Sequence, residues 1–270
     1  MRLRVWLFWC LLTASCVPDE RPQGSGPKPL AVVGAQARPL APLQVTSSET
    51  PLADPGSIST IPRAQIGKRA VDPALDAPFS DTFERAELGS DWNQTGEGWS
   101  IKEGRLCVSD AKNHPAWLRR RLPTNARIEF EATSSSPEGD LKAEVWGDGQ
   151  SAATGSSYTN ATSYIVIFGG WKNTFHVLAR LDEHAKDRTA IHVEPGETDP
   201  RAQPALPDRA YRFKIERTDG KTVRYFVDDV EILSLKDPQP LAGEGHDHFG
   251  FNDWQVPVCF DNLTITPLKS

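Results

Sequence analysis

The sequence predicts an all-β protein, a two-sheet antiparallel jelly-roll sandwich that is preceded by a signal peptide and a disordered linker. Two observations carry this prediction. From Phe79 onward, short runs of aromatic and β-branched residues are separated by Gly, Pro, Asn and Asp, as in strands joined by turns. Apolar and polar residues alternate in many of these runs, and no window shows a helical period.

Each predicted strand follows from a local pattern. Strict alternation predicts strands with one face in the core at residues 127–131, 140–146, 175–182 and 211–216. Residues 164–168 are apolar throughout, which predicts a central strand covered on both faces. Asp228 and Asp229 separate two short apolar runs and predict a hairpin, and residues 261–265 predict the closing strand. About a dozen strands at this spacing indicate a sandwich or jelly roll.

Residues 1–16 have the layout of an export signal. Arg2 and Arg4 precede an apolar run too short to span a membrane, and small residues lead to Cys16. This end resembles a bacterial lipobox, which implies lipidation of Cys16, although Thr13 stands where the pattern usually has leucine. Val17 after the cysteine favours the outer membrane within the cell envelope. An ordinary cleaved signal without lipid is the alternative.

Residues 17–78 are predicted to be a disordered tether. They contain eleven of the 22 prolines and no Phe, Tyr or Trp, so they cannot bury enough apolar area to offset the entropy of ordering. The domain is therefore expected at residues 79–270. We expect membrane contact only through the lipid anchor, because no other apolar run reaches about 20 residues. The net charge of −6 argues against a nucleic-acid partner.

The domain resembles the concanavalin A-like lectin and glucanase superfamily, including its laminin-G-like jelly rolls. The resemblance is carried by the opening Phe79-Ser80-Asp81-Thr82-Phe83, the segments 99–106 and 225–229, and the closing Phe260-Asp261-Asn262-Leu263. It implies a domain that binds or cleaves sugars, often on a concave sheet. No cofactor is expected to be required.

The glucanase motif Glu-x-Asp-x-x-Glu has an imperfect counterpart in Glu138, Asp140 and Glu144, whose spacing is one residue too long. Retaining glycosidases need two carboxyl groups about 5.5 Å apart, one as nucleophile and one as acid/base. These three residues are the catalytic candidates. Lys142, between the acids on the same face, is expected to pair with one of them. A salt-paired strand face without catalysis is the alternative.

A ligand site is expected around exposed tryptophans, because sugar rings stack on indoles. By strand parity, Trp146 lies on the face opposite Leu141 and Val145, which makes it the first exposed candidate, and Trp171 follows a Gly-Gly loop. The candidate ligand-binding residues are Trp146, Glu144, Trp171, His176, Arg180, Asp182 and His184. The last three belong to a polar cluster at a strand end, which a hairpin with local ion pairs would equally explain.

Two places are candidates for a metal. His246 and His248 would share one strand face, which suits a transition metal. The resemblance also makes Ca²⁺ possible near the terminal strands, with Asp81 and Asp261 as oxygen donors.

Cys107 and Cys259 are the cysteines left in the domain. Export permits a disulfide between them, and two buried free thiols are the alternative.

The sequence thus predicts an exported, lipid-anchored domain that binds carbohydrate. A glycan-cleaving enzyme of the same fold is one alternative, and a domain that contacts another envelope protein is the other.

Overall fold

The computed structural model describes residues 71–269, and these residues form two antiparallel β-sheets packed face to face. The predicted all-β sandwich is confirmed. Cys16, the signal segment and most of the tether lie outside the described residues. Within residues 71–269 no helix is long and apolar enough to cross a membrane.

Fifteen strands are found in the described part of the chain. They are β1 (Phe79–Asp81), β2 (Trp92–Gln94), β3 (Ser100–Lys102), β4 (Arg105–Val108), β5 (Ala116–Leu118), β6 (Ala126–Ser134), β7 (Leu141–Gly147), β8 (Tyr164–Gly169), β9 (Phe175–Arg180), β10 (Thr189–His192), β11 (Ala210–Arg217), β12 (Thr222–Val227), β13 (Val230–Lys236), β14 (His248–Asn252) and β15 (Val258–Pro267). A single 3₁₀ turn covers Pro200–Ala202.

The eight-stranded sheet has the order β13-β12-β11-β6-β15-β4-β3, with β1 added beside β15. The seven-stranded sheet has the order β10-β9-β8-β7-β14-β5-β2. Strands distant in sequence are neighbours in both sheets, so the sandwich closes only when residues far apart along the chain have met.

Aromatic rings fill the space between the sheets. Phe130 stacks on Phe213 with ring centroids 4.9 Å apart, and Phe251 stacks on Phe260 at 4.2 Å. The rings of Phe130 and Phe251 are nearly perpendicular, with centroids 5.1 Å apart, and this contact links the two pairs across the sandwich. Burying each such side chain stabilises the fold by about 1.5–3 kcal/mol.

Strand β8 lies inside the seven-stranded sheet, between β7 and β9, and all six of its residues are buried. Tyr164, Val166 and Phe168 face the core between the sheets. Ile165 and Ile167 face the opposite side, where a second apolar cluster covers them. The prediction of a central strand covered on both faces is confirmed.

The hairpin at Asp228 and Asp229 joins β12 to β13 as predicted. Both aspartates adopt positive φ, 49° and 67°, which matches the twist that a tight antiparallel turn requires.

The domain begins earlier than the predicted residue 79. Leu75 is part of the core, and its N–H donates to the carbonyl of Arg121 at 2.8 Å. Arg121 in turn donates through its N–H to Pro73 and through Nε to the carbonyl of Asp72. The high proline content predicts a tether up to residue 78, but residues 72–75 pack against the domain.

Cys107 and Cys259 form a disulfide between β4 and β15, with an S–S distance of 2.07 Å. The two residues face each other directly in the strand register.

Candidate functional site

A cavity of about 290 Å³ opens on the outer face of the seven-stranded sheet. It lies where β7 begins and β8 ends, and the loop after β14 forms its opposite wall. Its lining combines two indoles with several charged groups: Glu138, Asp140, Lys142, Trp171, Glu183, His184 and Trp254.

A left-handed turn presents Trp171 to the cavity. Gly169, Trp171, Lys172 and Asn173 all have φ between 50° and 78°. The Asn173 side chain holds the turn, because its Oδ1 accepts the N–H of Ala205 at 2.9 Å and its Nδ2 donates to the Ala205 carbonyl at 2.7 Å. The Trp171 ring is half-buried and therefore keeps one part of its surface available to a ligand.

Trp254 stands on the β14 side of the cavity and is also half-buried. Its backbone N–H donates to Oδ2 of Asp140 at 2.9 Å. This bond ties the loop that carries Trp254 to the start of β7, so the indole and the carboxyl group belong to one rigid wall.

A buried ammonium forms part of the floor. Lys142 is buried, and its Nζ donates to Oδ1 of Asn113 at 2.7 Å and to Oε2 of Glu183 at 3.1 Å. An ammonium carries three N–H donors, so one is left for an acceptor in the cavity. The expected pairing of Lys142 with an acid is present, but its partner is Glu183 rather than a carboxylate of the same strand.

Burial outweighs the attraction of Lys142 at Asp140 and raises the pKa of that carboxyl group. Burial, followed by repulsion from Asp140, also raises the pKa of Asp253, to about 7. The carboxylates of Asp140 and Glu183 overcome the effect of burial on Lys142 and raise its pKa. The floor therefore offers a cationic donor beside a carboxyl group whose pKa is raised by burial.

Glu144 does not reach the cavity. It is completely buried, and its carboxylate accepts from Oη of Tyr158 at 2.8 Å, from Oγ of Ser163 at 2.5 Å and from Nδ2 of Asn252 at 2.7 Å. Burial raises its pKa to about 7. The expectation that Glu144 contacts a ligand or acts as a catalytic carboxylate is wrong for this arrangement.

The cause is the loop formed by residues 148–163, which covers the middle of the sheet's outer face. Tyr158 and Ala161 from this loop pack on Ile165, Ile167 and Val177. Beside the loop, the indole of Trp117 packs on Gly147 and Gly250. Any larger residue at Gly147 would clash with the indole, because its Cβ would lie 2.5 Å from the ring. Trp117 also donates through Nε1 to the carbonyl of Ser151, which fixes the loop over the sheet.

The expectation of an exposed Trp146 is wrong as well. The register between β7 and β14 shifts at this point, so that Gly147 pairs with His248 and Val145 with Phe249, and Trp146 is the extra residue of a β-bulge. Its φ of 55° turns the indole into the core between the sheets, where it is fully buried. Parity along a strand fails wherever a bulge interrupts it.

His176 faces the core and not a ligand groove. Its ring stacks on Phe168 with centroids 4.0 Å apart. Nδ1 accepts the N–H of Gly169, so Nε2 carries the proton and donates to the carbonyl of Gln203 at 3.0 Å. Burial lowers the pKa of His176 to about 4, so the ring is neutral. The prediction that His176 binds a ligand is wrong. It required one face of β9 to be open to solvent, whereas both faces of this strand are covered.

The polar cluster that follows β9 divides between two places. His184 lines the cavity, and its Nε2 lies 3.3 Å from Oε1 of Glu183. Asp182 accepts the N–H of His184 and thereby shapes the turn. Arg180 points elsewhere and pairs with Asp237 at 2.7 Å.

Glu138 lies at the rim of the cavity, half exposed, and its carboxylate is 3.9 Å from Nζ of Lys172.

The two aspartates predicted as oxygen donors for a metal make hydrogen bonds within the domain. Asp81 accepts from Arg85, from Nε1 of Trp92 and from the N–H of Phe83. Asp261 accepts the N–H of Asn262. Within residues 71–269 no three His, Cys, Asp or Glu side chains are grouped as a metal site would need.

His246 and His248 do not share a strand face, because β14 begins only at His248. Nδ1 of His246 lies 2.6 Å from the carbonyl of Thr162. The ring of His248 lies between carboxylates, with Nδ1 2.8 Å from Asp247 and Nε2 3.4 Å from Asp72. The expectation of a shared face is wrong, since a turn and not a strand precedes His248.

Several residues of the site were not among the candidates. They are Trp254, Asn113, Glu183, Asn252 and Asp253, which come together from separate loops and strands. The short polar run Asn252-Asp253-Trp254 after an aromatic strand was the available signal.

Comparison with known proteins finds likeness in fold alone. No family model matches the chain, and no curated protein matches it. Among solved structures, the Emp47p carbohydrate recognition domain is 11% identical with a TM-score of 0.49, over 72% of this chain and 96% of that one. A prokaryotic β-1,3-1,4-glucanase (lichenase) from a mouse hindgut metagenome is 10% identical with a TM-score of 0.47, over 71% and 99%. At such values the likeness identifies no chemistry for this chain.

In architecture the domain is an all-β sandwich of two antiparallel sheets, with seven and eight strands. The chemistry of this domain has to be argued from its own cavity, because one fold hosts many unrelated functions.

Proposed function

We propose that the domain binds a glycan in the cavity between Trp171 and Trp254. The observation that carries this proposal is the combination of two half-buried indoles with a buried charged floor. Indoles stack on the apolar faces of sugar rings, and paired donors and acceptors below them suit the hydroxyl groups of a sugar. The free donor of Lys142 and the carboxyl group of Asp140 provide such a pair.

The size of the cavity agrees with this proposal. A volume of about 290 Å³ is at the lower end of the range usual for small-ligand sites. It would admit one or two sugar rings, and a longer chain would continue over the rim.

The test is glycan binding by the full-length protein, purified in a detergent without a sugar headgroup. Trp254→Ala and Trp171→Ala should each weaken binding by about ten-fold or more, because each removes a stacking surface. Phe226→Ala is the matched control, since Phe226 is a half-buried aromatic on β12, in the other sheet. Binding that survives both tryptophan substitutions would refute the proposed site.

Cleavage of the glycan is the second candidate. One observation favours it: Asp140 is a cavity carboxyl group whose pKa is raised, as a general acid requires. Release of reducing sugar from the bound glycans, lost in Asp140→Asn, would establish it. Binding without release would leave the domain as a binding module.

We further propose that the chain is exported and held at the outer membrane by lipid on Cys16. The support is the sequence of residues 1–16. Labelling of cells with a radioactive fatty acid should mark the full-length protein and should not mark Cys16→Ser. Cys10→Ser is the matched control, because Cys10 lies in the same apolar segment. Label retained in Cys16→Ser would refute lipidation at this residue.

A further inference from the structure

A second cleft, of about 300 Å³, lies beside the candidate site. Its lining includes Arg180, Asp187, Arg188, Lys236 and Asp237. Arg188 separates it from the first cavity, because the Arg188 guanidinium carbon lies 4.5 Å from the centroid of the Trp171 ring. A chain stacked on Trp171 would therefore reach the second cleft by passing over Arg188.

Asp237 contributes little negative charge to this cleft. Its carboxylate accepts from Oη of Tyr164 at 2.6 Å, from Nε of Arg180 at 2.7 Å and from the N–H of Gln239 at 2.7 Å. The side chain is only 3% exposed. Arg180 and Asp237 thus form a neutral pair that shapes the wall of the cleft.

The remaining charges are positive in sum. Lys236 is exposed at the end of β13 and forms no ion pair within residues 71–269. Arg188 donates through Nη1 to the carbonyl of Glu183 at 2.6 Å, and this neutral partner leaves its charge uncompensated. Apart from Asp237, which is paired with Arg180, the acid of this lining is Asp187, exposed at the rim.

We propose that this cleft is an anion subsite, which takes a carboxylate or sulfate group of the glycan held between Trp171 and Trp254. The inference rests on the proposed glycan binding and adds the class of glycan: an acidic one. Guanidinium and ammonium groups bind carboxylates and sulfates through charge-assisted hydrogen bonds. In the first cavity Glu138 and Glu183 are balanced by Lys172 and Lys142, whereas the second cleft has a surplus of positive charge, so we place the acidic group in the second cleft.

The experiment compares matched glycans on the full-length protein. One pair is β-1,4-linked mannohexaose and the hexamannuronate of the same linkage, which differ by the carboxylate at C6. The second pair is one galactan in its sulfated and desulfated forms. We expect the protein to bind at least one acidic glycan about three- to ten-fold more tightly than its neutral counterpart, with a preference that falls as salt is raised.

Lys236→Gln should remove most of that preference and leave binding of the neutral glycan unchanged. Arg188→Lys should retain the preference in part, because it keeps the charge but loses the planar group over Trp171. Lys102→Gln is the matched control: Lys102 is an exposed lysine at the end of β3, without an ion pair to any described residue, at the opposite edge of the eight-stranded sheet from β13.

The outcomes separate the two proposals. A preference for one acidic pair only identifies carboxylate or sulfate as the group that is bound. Equal binding of acidic and neutral glycans, lost in Trp254→Ala, would refute the anion subsite and leave the proposed function standing. A preference unchanged in Lys236→Gln would also refute it. Absence of binding to all four glycans and to a wider array would refute both.

Discussion

The guanidinium carbon of Arg217 lies 3.8 Å from the centroid of the Trp146 ring, inside the sandwich. Both side chains are fully buried. Arg217 also donates through Nε to the carbonyl of Thr124 and through Nη1 to that of Leu241, and burial lowers its pKa to about 10. The bulge turns Trp146 inward, and the buried guanidinium of Arg217 therefore packs against the indole ring.

We expect Trp146→Ala to destabilise the fold by about 3–5 kcal/mol, because it leaves a cavity and removes the partner of a buried charge. Urea denaturation monitored by circular dichroism measures the change. Trp146→Phe, which keeps a ring beneath Arg217 but loses the hydrogen bond from Nε1 to Pro123, should cost clearly less. If Trp146→Ala instead removed glycan binding at unchanged stability, the assignment of Trp146 to the core would be contradicted.

Glu144 should make the protein less stable as the pH rises from about 4.5 to 7. The pKa of this group is raised from 4.5 to about 7 by burial, so the folded state holds its proton more tightly than the unfolded state does. The stabilisation is complete below the unfolded pKa and is lost as the pH rises through the folded pKa, by up to about 3 kcal/mol. Denaturation midpoints at a series of pH values should fall more steeply over this interval in the wild type than in Glu144→Gln, and equal slopes would argue against the shift.

His176 should act in the opposite direction. Burial lowers its pKa from 6.5 to about 4, so the folded state favours the neutral ring. Its contribution is present above pH 6.5 and is lost as the pH falls through about 4, by up to about 3 kcal/mol. The same denaturation series on His176→Gln should show a weaker loss of stability towards acid than the wild type. If the stability of the wild type and of His176→Gln fell equally towards acid pH, unfolding would not be linked to protonation of this ring.

Reduction of the Cys107–Cys259 disulfide should destabilise the domain by about 3–5 kcal/mol, because the bond closes a loop between residues 152 positions apart. Thermal unfolding with and without dithiothreitol gives the measurement. The double variant Cys107→Ser, Cys259→Ser should unfold at the lower temperature under both conditions. A wild-type protein that is insensitive to reductant, although its thiols become titratable after unfolding, would contradict this expectation.

The sequence by itself determined the fold class and the location of the longer strands. Alternation with period two and a short run of apolar residues are both local properties. Alternation placed the predicted strands at residues 127–131 and 211–216 inside β6 and β11, and the apolar run placed residues 164–168 inside β8. The hairpin was equally local, because its turn requires positive φ at two adjacent residues and Asp228 and Asp229 both adopt it.

The tertiary structure decided which side chains form the site. A one-residue bulge moved Trp146 from the outer face to the core, and the loop of residues 148–163 sealed Glu144 beneath Tyr158. Lys142 and Trp254 are 112 positions apart and meet only because β7 and β14 are neighbours in the sheet. Strand pairing, bulges and loop cover depend on contacts between distant segments, and a local pattern of polar and apolar residues carries no information about them.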